Sequence, residues 1–121
     1  MFVIDTNILI YYAAGEPAVV SFFEENKNKI FYIPTIVVAE FLSYSLITPS
    51  TAAIFKKFTE QTVIVNLDMP IAELAADIRK LHTVKLADAV IAASAIITRS
   101  SLVTRNGKDF KKISELEIVE L

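Results

Sequence analysis

The 121-residue chain has no cysteine and no tryptophan, one histidine and two glycines. Without cysteine there is no disulfide framework, thiolate zinc site, iron–sulfur cluster or cysteine nucleophile, and nothing calls for an oxidising compartment. A lone His82 cannot build a multi-histidine metal site. Lying close to Arg79 and Lys80 between two helical stretches, it reads as a solvated loop residue. Gly15 and Gly107 are too few and too far apart for a dinucleotide fingerprint or a phosphate-cradling loop, which excludes nucleotide cofactors held in those ways. The longest apolar stretch, Ile33 to Ile47, is interrupted by Pro34 and Glu40 and falls short of the ~20 residues that span a bilayer. Met1-Phe2-Val3-Ile4-Asp5 lacks the basic start of a secretory signal and carries an aspartate where the apolar core of one belongs. The expectation is a cytoplasmic protein with no membrane contact.

What is present is apolar. A hydrophobic content of 54% and a mean hydropathy of +0.50 exceed what the core of one small domain, residues 1–121, normally absorbs. Part of that surface is expected to meet a partner. Phe22, Phe23, Phe55 and Phe58, in the helical stretches 18–26 and 49–58, read as core or dimer contacts rather than base-stacking platforms, and as exposed-looking aromatics they suggest a homodimer. The balance of 12 basic against 14 acidic residues, net charge −2, argues against nonspecific nucleic-acid binding over the whole surface. Any such binding has to rest on local cations.

Strand-like and helix-like segments alternate. Phe2-Val3-Ile4 is a short apolar run of the kind buried on both faces of a sheet. Residues 30–33, 63–65, 101–104 and 117–120 read as four further strands. Between them lie helical stretches at 8–14, 18–26, 35–46, 49–58, 70–81 and 84–98, with Thr35 and Thr83 placed as caps and a helical turn within 105–112. That order requires crossover connections, and hence an α/β fold with a mostly parallel sheet and helices on both faces.

In such sheets ligands bind beyond the carboxyl ends of the strands, so acids there carry most information. Asp5 follows the first strand, and Asn106 and Asp109 follow the fourth. Glu40, in IVVAEFLSYSL, and Asp88, in VKLADAVIAASAII, interrupt very apolar helices, where an uncompensated carboxylate is costly unless it is paired or holds a metal. Glu40 has no cation at helical spacing, whereas Asp88 has Lys85 three residues earlier and a helix N-terminus beside it. Asp5 also suits a helix cap, and Asp109 in Asn106-Gly107-Lys108-Asp109 suits a surface turn. The acids lie 35 and 48 residues apart, so only folding brings them together. Hard oxygen donors without His or Cys point to Mg²⁺ or Mn²⁺ and to phosphodiester hydrolysis.

The segments MFVIDTNILI, PTIVVAEFL, KLADAVIAASAI and LVTRNGKDF occur in this order over nearly the whole chain. Together they resemble the PIN domain family, and within it the small VapC-like ribonuclease toxins of toxin–antitoxin pairs. The resemblance implies a parallel sheet of about five strands and one acidic cleft. It matches Asp5, Glu40 and Asp88 to the family's metal-holding catalytic acids, and Thr6 and Thr104 to the small polar residues beside them. In the fourth acidic position many relatives carry Asp; this chain has Asn106, with Asp109 three residues on. The resemblance further implies an RNA substrate and a small antitoxin as partner. Lys85, Arg105 and Lys108 lie close to the acid positions in the sequence and are the local cations expected to hold an RNA backbone. A receiver-like phosphoacceptor is disfavoured because Asp5-Thr6-Asn7 lacks a second Asp. A non-catalytic binding module of the same fold, supported by Asn106 alone, and a stand-alone RNA-processing nuclease are the alternatives.

Overall fold

The computed structural model describes residues 1–121. Five short runs rich in β-branched and aromatic residues form its strands: β1 (Phe2–Ile4), β2 (Phe31–Pro34), β3 (Val63–Val65), β4 (Ser101–Thr104) and β5 (Ile118–Glu120). They make one sheet in the order β3-β2-β1-β4-β5, every neighbouring pair parallel. Seven helices fill the crossovers: α1 (Thr6–Ala13), α2 (Pro17–Glu25), α3 (Thr35–Leu42), α4 (Pro49–Thr59), α5 (Met69–Leu81), α6 (Leu86–Ile97) and α7 (Gly107–Phe110).

Successive residues of a strand face opposite sides of the sheet. Val3 and Ile4 are both fully buried, as are Leu102 and Val103, so both faces of the central strands are covered. The chain steps outward from β1 through β2 to β3, then reverses direction and crosses to β4 and β5; α1 packs against α3 and α5 against α6, and α3 also meets α6. The buried core is continuous and aliphatic through α6, where Ala89 to Ala95 are all inaccessible.

The reversal matters for function. β1 leads outward to β2, and β4 leads outward to β5, so the switch point of the sheet lies between the adjacent strands β1 and β4. The crevice outside their carboxyl ends is where parallel sheets bind ligands. Asp5 ends one strand and Thr104 the other.

Several local expectations are corrected. Thr35 is not a cap: Pro34, extended at φ −63° and ψ 143°, takes that position, and Thr35 becomes the first helical residue, its hydroxyl accepting from Leu67 N at 3.4 Å. Thr83 is not a cap either, since the chain stays extended until Lys85. The helix expected to reach residue 46 ends at Leu42, where Ser43 donates its hydroxyl to the Glu40 carbonyl at 3.1 Å and the chain turns. The aromatics expected to be exposed on α2 and α4 are largely inside. Phe23 and Phe55 are buried, and Phe22, Phe23 and Phe58 pack with Phe2, Tyr12 and Phe31 in one aromatic cluster, Phe2 stacked on Phe31 at 5.5 Å. The apolar excess surfaces elsewhere, at Leu46, Ile54, Met69, Leu81 and Leu86. No helix is long and apolar enough to cross a membrane.

Candidate active site

Asp5 leaves β1 in an extended conformation and caps α1, its Oδ1 accepting from Thr6 N at 2.8 Å. Its Oδ2 accepts from the Thr104 hydroxyl, also at 2.8 Å, which ties the ends of the two switch-point strands together. Thr104 is fully buried, and its oxygen in turn accepts from Asn106 N at 2.9 Å. The Thr6 hydroxyl donates to Glu40 Oε1 at 2.5 Å, so α1 also fixes the carboxylate that α3 presents. The two threonines therefore each carry one acid: Thr104 holds Asp5, and Thr6 holds Glu40.

Glu40 is exposed, which corrects the expectation of a carboxylate submerged among apolar neighbours. Its helix is apolar because the other faces pack, through Val37 and Phe41, into the core. Asp88 is half-buried in the first turn of α6, and Asp109 in the short helix after β4.

The charges reveal how close these groups are. Burial pushes the Asp5 carboxyl above its usual range, against the hydrogen bonds from Thr104 and Thr6, and the charges of Glu40 and Asp109 push the same way. Burial raises Asp88 to about 6, reinforced by Asp5, Asp109 and Glu40 and opposed only by Lys85. Four carboxylates thus share one crevice with a net surplus of negative charge. Asp109, which the turn-like sequence made a surface acid, belongs to this group. Asn106 reaches the group through Thr104, to whose hydroxyl oxygen its backbone N–H donates, and its side-chain amide makes no capping bond.

The expected cations divide. Lys85 is exposed at the start of α6 beside Asp88, and Lys108 is exposed on α7. Arg105 is not available as placed: it pairs with Glu16, the cap of α2, and lies over the Tyr11 ring at 4.5 Å. Two residues near the site gave no sequence pattern. Arg79 shares a cavity with Lys85, Asp88 and Asp109. Glu120 lies against Gly107, where a Cβ would meet the flexible end of the Glu120 carboxylate and push it aside. Neither is legible without the turn after α5 and the pairing of Thr104 with Glu120.

No three Asp, Glu or His side chains converge on one coordination point as they stand. The donor chemistry nonetheless fits a hard divalent cation, being all oxygen and anionic, with surplus charge that a cation would neutralise.

Comparison with known proteins places the fold. The model of the family described as PIN domain matches residues 2–116. A comparison with curated proteins found no match. Among solved structures, the chain is similar to one in the VapBC2 complex from Rickettsia felis bound to a promoter DNA fragment, at 23% identity and a TM-score of 0.85 over 99% of this chain and 98% of that one. It is similar to one in a toxin–antitoxin complex from Klebsiella pneumoniae at 28% identity and a TM-score of 0.83, covering 100% of both. A third, from DNA-bound VapBC of Salmonella typhimurium, matches at 24% identity and a TM-score of 0.83 over 98% and 96%.

Proposed function

This chain belongs to the PIN domain family, and on that premise we propose that it is a metal-dependent endoribonuclease, the toxin of a VapBC-type toxin–antitoxin pair acting in the cytoplasm. The observation that carries the reading is the shared negative charge of Asp5, Glu40, Asp88 and Asp109 at the switch point between β1 and β4. Such a surplus costs stability and serves no packing purpose.

In this reading Asp5, Glu40 and Asp88 hold Mg²⁺ or Mn²⁺, with Asp109 or Asn106 in the fourth position. When bound, the cation supplies charge neutralisation at the scissile phosphate and acidifies a water. The chain's own residues do the rest. Thr104 and Thr6 fix the rotamers of Asp5 and Glu40, so the donor set is oriented before substrate arrives. Lys85 and Lys108 offset the acids' repulsion of an incoming RNA backbone.

The antitoxin reading is supported by the toxin–antitoxin complexes among the similar structures and by an apolar groove lined by Leu9, Tyr12 and Phe41 with Ile54, Phe55 and Phe58. Its lining comes from α1, α3 and α4, and an apolar face of a partner helix could cover it. Exposed Leu67, Met69 and Leu86 offer a separate surface for a homodimer.

The test is RNA cleavage by purified protein with Mg²⁺ or Mn²⁺, with and without chelator. Cleavage that chelator abolishes, and that Asp5→Asn, Glu40→Gln and Asp88→Asn each abolish while folding normally, is the expected result. No cleavage of any RNA under metal-replete conditions would leave the non-catalytic binding module as the better reading.

A further inference from the structure

We propose that the cavity between the α5–α6 turn and α7 is a subsite for one backbone phosphate of the RNA strand, the phosphodiester next to the scissile one, with Arg79 and Lys85 as its ligands. The inference rests on the nuclease reading and names where that site grips its substrate.

The cavity, about 390 Å³, is lined by Arg79, Thr83, Val84, Lys85, Asp88 and Asp109. One wall is therefore cationic and the other belongs to the acidic crevice. The cations are not spent on the acids. The chain's single ion pair is Arg105 with Glu16, so neither Arg79 nor Lys85 is salt-bridged despite the carboxylates opposite. Arg79 is nevertheless oriented: its Nε donates to the Val84 carbonyl at 3.3 Å, folding the guanidinium back over the turn and leaving both terminal amino groups free. The turn is itself held from the far side, where Lys112 Nζ donates to the Thr83 carbonyl at 2.6 Å.

A guanidinium with two free amino groups matches the paired non-bridging oxygens of a phosphodiester, and an ammonium beside it adds a second point of charge. The carboxylate wall repels a phosphate unless a cation covers it. The phosphate that settles on Arg79 and Lys85 is thus the neighbour of the one presented to the acids, and holding it sets the register of the strand across them. In a chain of net charge −2 the backbone has to be gripped by local cations, and this pair adds to Lys108 on α7, the helix on the other side of the cavity.

The test uses the full-length protein. A short fluorescein-labelled single-stranded RNA is titrated against the Asp5→Asn variant, which cannot consume it, across a series of salt concentrations. Arg79→Gln and Lys85→Gln are then added in that background, with Lys27→Gln as the control. Lys27 lies in the turn between α2 and β2, on the amino-terminal side of the strands and so away from the crevice beyond their carboxyl ends. Arg79 and Lys85 are exposed, so their variants are expected to melt as the parent does. Each is expected to weaken binding severalfold and to reduce the slope of log affinity against log salt by about 0.7, as loss of one contact to single-stranded phosphate requires. Lys27→Gln changes neither. In the active protein, Arg79→Gln raises KM with kcat retained, and Arg79→Lys, which keeps the charge and loses the fork, falls between. If the wild type cleaves RNA while the Arg79→Gln, Lys85→Gln double variant keeps full affinity and slope, the subsite is wrong. If the wild type neither cleaves nor binds RNA, the nuclease reading fails and the subsite with it.

Discussion

Replacing Asp88 by Asn separates the acidic crevice from an ordinary folded surface, because its effect on stability reverses with conditions. The carboxyl titrates at about 6 in the folded chain against 3.8 ordinarily, driven by burial and then by Asp5, Asp109 and Glu40. The folded chain holds this proton more tightly than the unfolded one, so stability is greatest at low pH. It falls as pH rises from 3.8 to about 6 and stays reduced above. Ionisation at neutral pH then costs the fold up to about 3 kcal/mol; with Asp88 half-buried and partly screened by solvent, about 1.5 kcal/mol is the better expectation. Asn has nearly the same shape and no charge to ionise. In chelator at pH 7.5, Asp88→Asn should therefore melt roughly 4–8 °C above wild type. At pH 4 the difference should shrink to a small fraction of this, because the folded carboxyl is then protonated and the unfolded one, at 3.8, about half so. Saturating Mn²⁺ should invert the order, since wild type gains about 2.7 kcal/mol at a hundredfold excess over Kd and the variant gains much less. Scanning calorimetry at the two pH values, with and without Mn²⁺, reads all of this. A melting difference that is the same at pH 4 and 7.5 would refute the shared-charge description of the site.

Three further outcomes are expected. Thr104→Val leaves one buried oxygen of Asp5 and the backbone N–H of Asn106 without their partner, so it should cost about 1–3 kcal/mol in denaturant melts and lower kcat as Asp5 loses its fixed rotamer. Asn106→Asp adds a fifth acid beside the crevice and should tighten Mn²⁺ binding in calorimetric titration; unchanged affinity would place residue 106 outside the metal's surroundings. Gly107→Ala forces the exposed, flexible end of Glu120 aside and should cost under about 1 kcal/mol. In the Glu120→Ala background the same substitution should become stabilising, by the higher helix propensity of alanine.

The alternation of strands and helices was legible because each strand is a short block of Val, Ile or Phe bounded by a turn residue, a pattern that needs no tertiary information. The parallel sheet followed from the crossovers. Cap positions were less legible: at both Thr35 and Thr83 the chain stays extended or turns helical a residue or two away from where a threonine suggests, because Pro34 and Lys85 set the entry angles. Aromatics on α2 and α4 looked exposed because helical spacing shows which residues share a face and not what covers that face. Arg105 looked free for the same kind of reason. Its partner, Glu16, is 89 residues away, and no local rule links a β4 end to an α2 cap.

The acids show why local and functional readings of one residue need not compete. Asp5 fits a helix cap, and the structure makes it one, through a single oxygen on Thr6 N. Its other oxygen is taken by Thr104 across the switch point, and each carboxylate oxygen has a second lone pair still to offer. Capping and cross-strand bonding therefore hold the carboxylate in one orientation without exhausting it, and they favour its ionised form against burial that disfavours it. A free aspartate in the same crevice would turn away from Glu40, Asp88 and Asp109 or take up a proton. Held at both oxygens, Asp5 keeps its carboxyl group where the other acids present theirs, with two bonds that oppose the upward push of burial, and that convergence is what a divalent cation or a phosphate subsite beside it can use.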